Sequence, residues 1–320
     1  MKDGSAPIVV ALGGNAISPV GEVGNIAQQF RQTRQTVAGL RRLLVGGAPM
    51  IITHGNGPQV GNAIRRVELS AHEVYPLDLG ICVADVQGGM GYMIAQCLMN
   101  DLQRQGRNRI VTTIVTTVEV DRNDEAFSHP SKPIGSFFPR EQAERYMREY
   151  GWEMVEIPRQ GHRRVVPSPR PIAIVEIDLI RKLVESGELL VAVGGGGIPV
   201  YREANGDLEG CEAVIDKDLA SGLLAGGIGA ATLFIVTAVD KVCLDYGTPA
   251  QRKLDRLTAA EARRHLDDGQ FPPGSMGPKI QAAINFLEAS QREDARVIIC
   301  DIEHISPAMD GEAGTVITRG

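Results

Sequence analysis

The sequence predicts an α/β protein, a three-layer α/β/α sandwich with a mostly parallel central sheet and a small protruding subdomain. Short apolar runs alternate with helical patterns along most of the 320 residues, which is the order expected of a parallel sheet covered on both faces. Three apolar runs lead directly into glycine-rich loops, at 13–16, 55–61 and 194–199. A stretch rich in proline and arginine, at 121–171, interrupts the alternation.

The elements before the interruption follow from the spacing of apolar residues. Strands are runs of apolar or β-branched side chains, and the first helix carries Ile26, Phe30, Val37, Leu40 and Leu44 on an approximate helical stripe. In order, we predict a strand at 8–12, a helix at 26–46, a strand at 50–53, helices at 59–68 and 78–103, and a strand at 110–120.

The stretch at 121–171 has seven prolines and few long apolar runs. We predict one short helix at 140–150 and small strands at 153–157 and 163–166. The stretch therefore reads as a lid inserted into one domain spanning 1–320, and not as a core layer. Arg163 and Arg164 read as a solvated face.

The alternation of strands and helices resumes after the lid. The helix near 258 opens with a capping box, because Glu261 follows Thr258 by three residues. In order, we predict a helix at 177–185, a strand at 189–193, a helix at 216–225, a strand at 231–237, helices at 258–266 and 278–289, and strands at 296–300 and 315–318.

The glycine loops predict an anion site. Glycine lets a backbone turn sharply and brings bare N–H groups close to a ligand. Two loops precede helices, whose N-terminal ends favour anions, and loops at the carboxyl ends of parallel strands form the usual ligand site of such folds. His54 lies in one loop, where it contacts substrate or is bonded to the backbone.

Lysine usage strengthens this prediction. Lys and Arg total 33, and only seven of these residues are lysine. Lys217, between Asp216 and Asp218, and Lys279, after Pro278, open predicted helices where a positive charge is unfavourable unless an anion is bound. Lys132 lies in the lid, which can deliver a further cation. Asp216 is also a suitable N-cap and Asp218 a favourable first-turn acid.

The composition of the chain limits which functions are possible. The net charge of −6 argues against nucleic-acid partners. The chain has neither a signal-peptide pattern nor a run long enough to cross a membrane. Five scattered cysteines predict a cytoplasmic protein with reduced thiols. Histidine spacing predicts no metal site, and neither a Walker A loop nor a dinucleotide fingerprint is present. The loop at 237–247 suits an adenine pocket or plain packing equally.

The ordered set of motifs resembles the carbamate kinases of the amino acid kinase family. Each motif alone is weak, but they occur in family order almost end to end. They are Val-Ala-Leu-Gly-Gly-Asn-Ala at 10–16, His-Gly-Asn-Gly-Pro-Gln-Val-Gly at 54–61, Asp-Glu-Ala-Phe at 124–127, Lys-Pro-Ile-Gly at 132–135, Arg-Val-Val-Pro-Ser-Pro at 164–169, Gly-Gly-Gly-Gly-Ile-Pro-Val at 194–200, Ala-Val-Ile-Asp-Lys-Asp at 213–218 and Gly-Ser-Met-Gly-Pro-Lys at 274–279.

The resemblance implies reversible phosphoryl transfer between carbamoyl phosphate with ADP and carbamate with ATP, with Mg²⁺, in a homodimer. It implies catalytic roles for Lys132, Lys217, Asp218 and Lys279. Many family members carry a lysine in the first strand, where this chain has Ala11-Leu12, and Lys132 would replace it. Implied substrate-binding residues are Gly13, Gly14, Asn15, Gly55, Asn56, Gly57, Gly195, Gly196 and Gly197, and those predicted for the nucleotide are Asp240, Val242, Tyr246, Gly274 and Met276.

Two other functions fit the same residues. One is a non-catalytic sensor that binds nucleotide or carbamoyl phosphate without turnover. The other is a different small-acid kinase of the family, acting on an acceptor such as acetate or acetylglutamate.

Overall fold

The computed structural model describes residues 6–18, 23–157 and 160–320. Its strands are β1 (Ile8–Leu12), β2 (Met50–His54), β3 (Val111–Thr113), β4 (Thr117–Val120), β5 (Lys132–Phe138), β6 (Glu153–Ile157), β7 (Gly161–Val166), β8 (Pro171–Ile174), β9 (Leu189–Val191), β10 (Ile198–Arg202), β11 (Leu208–Gly210), β12 (Thr232–Val236), β13 (Cys243–Leu244), β14 (Arg252–Lys253), β15 (Arg256–Thr258), β16 (Arg296–Cys300) and β17 (Thr315–Thr318).

Its helices follow the same chain order. They are α1 (Ile26–Gly39), α2 (Arg41–Gly46), α3 (Gly57–Ser70), α4 (Leu79–Arg104), α5 (Arg140–Tyr150), α6 (Ile177–Glu185), α7 (Lys217–Gly227), α8 (Ala259–Asp267), α9 (Met276–Ala289) and α10 (Ile305–Met309). None of the helices in the described ranges combines the length and apolar character that a membrane span needs.

The central sheet has eight strands in the order β15-β17-β16-β12-β1-β2-β9-β3. Neighbouring strands are parallel, except that β16 and β17 are antiparallel. Successive side chains of β1 enter opposite cores. Val9 and Ala11 pack with α6, α7, α8 and α9, whereas Val10 and Leu12 pack with α1, α2, α4 and α10. The predicted three-layer α/β/α sandwich with a mostly parallel sheet is therefore confirmed.

Smaller sheets flank this core. One has the order β11-β10-β4-β8, and another, within the predicted lid, has the order β5-β7-β6 with antiparallel pairing. Helix α5 and strands β6 and β7 match the elements predicted there, whereas β5 was missed. The predicted lid range 121–171 includes residues 158 and 159, which lie outside the described residues.

Two long predicted elements are broken in the structure. The predicted helix at 26–46 is divided into α1 and α2 at Leu40. The predicted strand at 110–120 is also wrong as one element. Gln87 binds the backbone of Thr116 through its Oε1 at 2.5 Å, and the Thr116 hydroxyl accepts the N–H of Val193 at 3.0 Å. These bonds take the backbone out of the central sheet, so β3 and β4 lie in different sheets.

The prediction of a solvated Arg163–Arg164 face is also wrong. The Arg163 Nε donates to the Gly135 carbonyl at 2.9 Å. The Arg164 guanidinium lies 4.8 Å from the centre of the Trp152 ring and 3.4 Å from Glu68. Arg163 therefore ties β7 to β5 within the predicted lid, whereas Arg164 attaches the lid to α3 through Glu68.

Candidate active site

The three glycine loops meet at one edge of the central sheet, because they follow the parallel strands β1, β2 and β9. They border a pocket of about 200 Å³. The pocket is lined by Gly14, Gly55, Asn56, Gly57 and Gly195 from the loops, and by Lys132, Asp216, Lys217, Asp218, Gly274, Ser275 and Lys279. The convergence of glycine loops and lysines expected from the sequence is present.

Packing explains most of the glycines in the third loop. Gly195, Gly196 and Gly197 have φ angles of +67°, +98° and +92°, which disfavour other residues. A Cβ at Gly195 would lie 1.9 Å from Asn56 Nδ2, and a Cβ at Gly196 would lie 2.5 Å from the Ile215 carbonyl oxygen. The loop can pass between its neighbours only with glycine at these positions.

Several predicted ligand-binding amides are already bonded within the protein. The N–H groups of Gly13, Gly55, Gly196 and Gly197 donate to the carbonyls of Val236, Leu12, Val193 and Gly194. Gly14, Gly57 and Gly195 line the pocket, and no such bond holds their amides within the described ranges. Fewer amides than predicted are therefore free to bind an anion. The Gly57 amide is one of them, because it lies in the first turn of α3, where helical N–H groups lack intrahelical acceptors.

Asn56 supplies a donor of a different kind. Its side chain is buried, and its Nδ2 has no hydrogen-bond partner among the residues that the structure describes. The residue lines the pocket. A buried donor without a partner costs about 1–3 kcal/mol, so an anion or carbonyl oxygen in the pocket would satisfy it.

The lysines reach the pocket from three separate elements. Lys132 is the first residue of β5, Lys217 the first of α7, and Lys279 lies one turn into α9. The Lys132 Nζ is 2.6 Å from Asp216 Oδ2. Asp218 binds Lys217 through Oδ1 and Lys279 through Oδ2, the latter at 2.8 Å. Three ammonium groups against two carboxylates leave the cluster positive, which suits an anionic ligand.

Asp216 also caps α7. Its Oδ1 accepts the N–H of Asp218 at 2.8 Å and that of Leu219 at 3.4 Å. The cap fixes the start of the helix and so the direction of Lys217, which follows at once. Ser221, one turn later, donates to the Lys217 carbonyl at 2.6 Å and bonds the hydroxyl of Thr53 on β2 at 2.7 Å.

Burial and mutual charge set the pKa values of the cluster. Burial, together with the neighbouring Lys279, lowers the pKa of Lys217. Burial also disfavours the charged form of Lys279, but the Asp218 carboxylate raises the pKa of Lys279 above its usual value. For Asp218 the two lysines outweigh burial and lower its pKa strongly. Asp218 therefore favours the charged form of both closely spaced buried ammonium groups.

A second, larger pocket of about 440 Å³ adjoins the first, and both are lined by Gly14, Lys217 and Lys279. Gly13 and Asn15 line the larger pocket. The loop at 237–247, which the sequence left open as an adenine pocket or plain packing, contributes Thr237 and Ala238 to this pocket. Sequence reasoning missed Gln32, Asp301, Ile302 and Glu303. Asp301 directly follows β16, so the strand-end rule that located the glycine loops could also have found it.

The predicted nucleotide-binding residues are only partly brought to these pockets. Gly274 lines the smaller pocket, and Met276 begins α9 and packs against the core. Neither pocket is lined by Asp240, Val242 or Tyr246. Asp240 pairs with Lys253 at 2.6 Å and the ring of Tyr246 is exposed. Val242 is buried, and its backbone N–H and C=O are both hydrogen-bonded within the protein. The predicted contact of Val242 with the nucleotide is therefore wrong.

His54 is a structural residue in this fold. It is fully buried at the end of β2, and its Nδ1 lies 3.2 Å from the Gly55 carbonyl oxygen. Of the two alternatives left open by the sequence, the backbone-bonded histidine matches the structure.

Fold and site together define an α/β protein that binds anionic ligands at the carboxyl ends of its parallel strands, and comparison with known proteins identifies its family. A sequence model described as the amino acid kinase family matches residues 6–301. The chain belongs to the amino acid kinase family.

Within that family the full-length relatives include carbamate kinases. The chain is 42% identical to the carbamate kinase of Thermococcus kodakarensis, over 98% of this chain and 99% of that protein. It is 45% identical to the Escherichia coli carbamate kinase-like protein YahI, over 98% of each. The structure of Giardia lamblia carbamate kinase bound to AMP-PNP superposes with a TM-score of 0.90 at 35% identity, covering 98% of this chain and 99% of that one. The resemblance predicted from the motifs is confirmed.

Proposed function

We propose that the chain is a carbamate kinase, which transfers a phosphoryl group reversibly between carbamoyl phosphate and ADP to give carbamate and ATP. The observation that carries the proposal is the convergence of Lys132, Lys217 and Lys279 on a pocket bordered by glycine loops. The full-length relatives that are named carbamate kinases support the choice of acceptor.

The two adjoining pockets suit two substrates of different size. The smaller pocket fits carbamoyl phosphate, and the larger fits the phosphates of the nucleotide, whose adenosine would extend past Ala238 toward the loop that contains Asp240 and Tyr246. Lys217 and Lys279 line both pockets, so they can follow the phosphoryl group from one to the other. Lys132 would approach from the 121–171 segment, acting as a lid inserted into a single domain.

The chemistry asks mainly for alignment and charge neutralisation. Carbamate is already an anion, so its attack on the γ-phosphate needs no general base. The transferred group spreads negative charge over its equatorial oxygens. Lysines held in advance in a buried site stabilise that charge without reorganising, and Asp218 holds two of them in place. Asn56 would donate to an oxygen of the smaller substrate.

The residues present are compatible with Mg²⁺ carried on the nucleotide. Within the described ranges, no group of three or more His, Cys, Asp or Glu side chains could hold a metal ion. Mg²⁺ commonly keeps several waters and binds substrate phosphates plus one or two carboxylates. Asp301 and Glu303 line the larger pocket and would be the carboxylates that face such an ion, which would neutralise phosphate charge.

We also propose that the protein works as a homodimer in the cytoplasm. Exposed apolar side chains lie on α1, α3 and α4, and include Ile26, Leu69, Ile81 and Tyr92. Ile26 and Tyr92 line a groove of about 480 Å³ between these helices, and exposed apolar surface of this kind marks an interface. A second copy could cover it about a two-fold axis. All five cysteines are free thiols, as expected of a reducing compartment.

The test is ATP formation from carbamoyl phosphate and ADP with Mg²⁺. We expect turnover by the wild type and a fall in kcat of about 10²–10³-fold in Lys132→Ala and Lys279→Ala, by analogy with the loss of other preorganised donors. Lys182→Ala, which removes an exposed lysine of α6, should act as wild type. Normal turnover in both site variants would refute the assignment.

The alternatives give different results in the same experiments. Binding of ADP or carbamoyl phosphate without any turnover would indicate a sensor. Faster turnover with acetate or acetylglutamate than with carbamate, in the ATP-consuming direction, would indicate another small-acid kinase.

A further inference from the structure

A close backbone contact joins the predicted lid to α3, the helix that begins at the second glycine loop. A Cβ on Gly61 of α3 would lie 1.9 Å from the Cα of Gly135 on β5 and 2.1 Å from its nitrogen. Carbon atoms normally pack at about 3.5–4.0 Å. Any side chain at position 61 must therefore push β5 away from α3.

The surrounding contacts hold β5 in this place. Ile134, next to Gly135, is buried in an apolar cluster with Val60 and Ile64 of α3. Gly135 has a φ of +74°, and its carbonyl accepts the Arg163 Nε at 2.9 Å. The strand is thus fixed by packing on one side and by β7 on the other.

A second contact lies two turns further along the same face of α3. Glu68 is seven residues after Gly61, and residues at that spacing share one helix face. Its Oε1 lies 3.4 Å from Arg164 on β7, and its Oε2 lies 3.3 Å from Arg65. Arg164 also stacks on Trp152. Glu68 therefore links the α3 face to the same sheet that carries β5.

These contacts determine where Lys132 can reach. Lys132 begins β5 only three residues before Gly135, about 10 Å along a strand, and pairs with Val166 of β7. Its Nζ meets Asp216 at 2.6 Å. We propose that Gly61 is a positioning residue of the active site, which acts through β5 to place the Lys132 ammonium, and that the Glu68–Arg164 contact supports it.

This inference rests on the proposed function, and it requires β5 to be held in a fixed position rather than to move freely. A displacement of about 1 Å at a catalytic group can cost about 100-fold in rate. Loss of the Gly61 contact should therefore affect chemistry more than the binding of ADP, whose pocket lies beyond Lys217 and Lys279.

A double-mutant cycle tests the inference. We expect Gly61→Ala to lower kcat by about tenfold to 100-fold while the KM for ADP stays within about twofold. In the Lys132→Ala background, Gly61→Ala should change the residual kcat by less than about twofold, because the group it positions is gone. The matched control is Gly46→Ala, which adds the same methyl to a helical glycine with open space around it and should leave kcat unchanged.

Arg164→Gln provides a second variant in case Gly61→Ala does not fold. It should lower kcat in the same Lys132-dependent way, to a smaller extent. Equal losses of kcat in the wild-type and Lys132→Ala backgrounds, for whichever variant folds, would show a merely structural role and overturn the inference. A wild-type protein with no phosphoryl transfer would overturn the proposed function instead, so the two failures are distinguishable.

Discussion

Asp218 is a single buried carboxylate between two ammonium groups, and its removal should be costly in two ways. Asp218→Asn removes the carboxylate bonded to both buried lysines, Lys217 and Lys279, and breaking such a buried pair typically costs about 3–5 kcal/mol. It should also release both lysines from their positions and lower kcat by at least about 100-fold. Urea unfolding and the ATP-forming assay measure the two effects.

The matched control for that variant is Asp178→Asn, which removes an exposed carboxylate paired with Arg181 on α6. Surface ion pairs contribute at most about 1 kcal/mol. If Asp218→Asn were no more destabilising than Asp178→Asn, the buried cluster would not have the energetic role described above.

His54 makes a prediction about pH. Burial, which outweighs the hydrogen bond to Gly55 and is reinforced by Lys217, lowers its pKa from 6.5 to about 4. Between these values the unfolded chain binds the proton more tightly, so stability decreases as pH falls through this window. The loss attributable to His54 approaches about 3 kcal/mol at pH 4.

Urea unfolding at several pH values between 7 and 4 tests this dependence, with His54→Gln compared with the exposed control His72→Gln. We expect a weaker pH dependence only in His54→Gln. Identical slopes in all three proteins would contradict a buried neutral histidine.

Site residues could be predicted from the sequence only where their local sequence was unusual. Lys217 and Lys279 stood out because a positive charge opposes the start of a helix. Val242 was misassigned because the sequence of a loop does not reveal which of its side chains are buried in the core. Glu68 and Arg164 could not be paired, since they are 96 residues apart and only the packing of α3 against the lid sheet brings them together.

At the scale of elements, the loop at 194–197 provides a sharp test of packing. Gly196→Ala combines a φ of +98° with a Cβ only 2.5 Å from the Ile215 carbonyl oxygen. Because Ile215 directly precedes the cap of α7, the loop or the helix start must shift. We expect a loss of several kcal/mol of stability, beyond the roughly 1–2 kcal/mol of a left-handed non-glycine residue alone, and a large loss of kcat.

Gly229→Ala separates the two causes, because Gly229 has a φ of +65° and, in the part of the chain that the structure describes, no atom of a non-neighbouring residue lies within 4 Å of its Cβ position. It should show the conformational cost alone, with normal kcat. Comparable unfolding free energies for the two variants would exclude the proposed steric role of Gly196.

Elements with strong periodicity were the ones that could be predicted. The capping box at Thr258 and Glu261 is present as predicted, and so are the buried strands of the central sheet. Strand β5 was missed because Lys-Pro-Ile-Gly-Ser lacks both alternation and a long apolar run. Its extended form comes from pairing with β7 and packing on α3, neither of which is local.

At the scale of the whole molecule, the exposed apolar face of α1, α3 and α4 predicts the assembly. We expect a dimer by sedimentation velocity, and Tyr92→Glu should shift it toward monomer, because a charge would be buried at the interface. Leu179→Glu, on the exposed face of α6, should leave the dimer intact. A monomeric wild type at micromolar concentration would contradict the proposed homodimer.

The ion pairs of the active site connect parts of the chain that are far apart in sequence. Lys132 and Asp216 are separated by 84 residues, and Lys279 and Asp218 by 61. Contacts of such long range form late, after the loops between them have closed. In a refolding experiment, the return of enzymatic turnover should thus report completion of the tertiary structure and lag behind the recovery of helical circular dichroism.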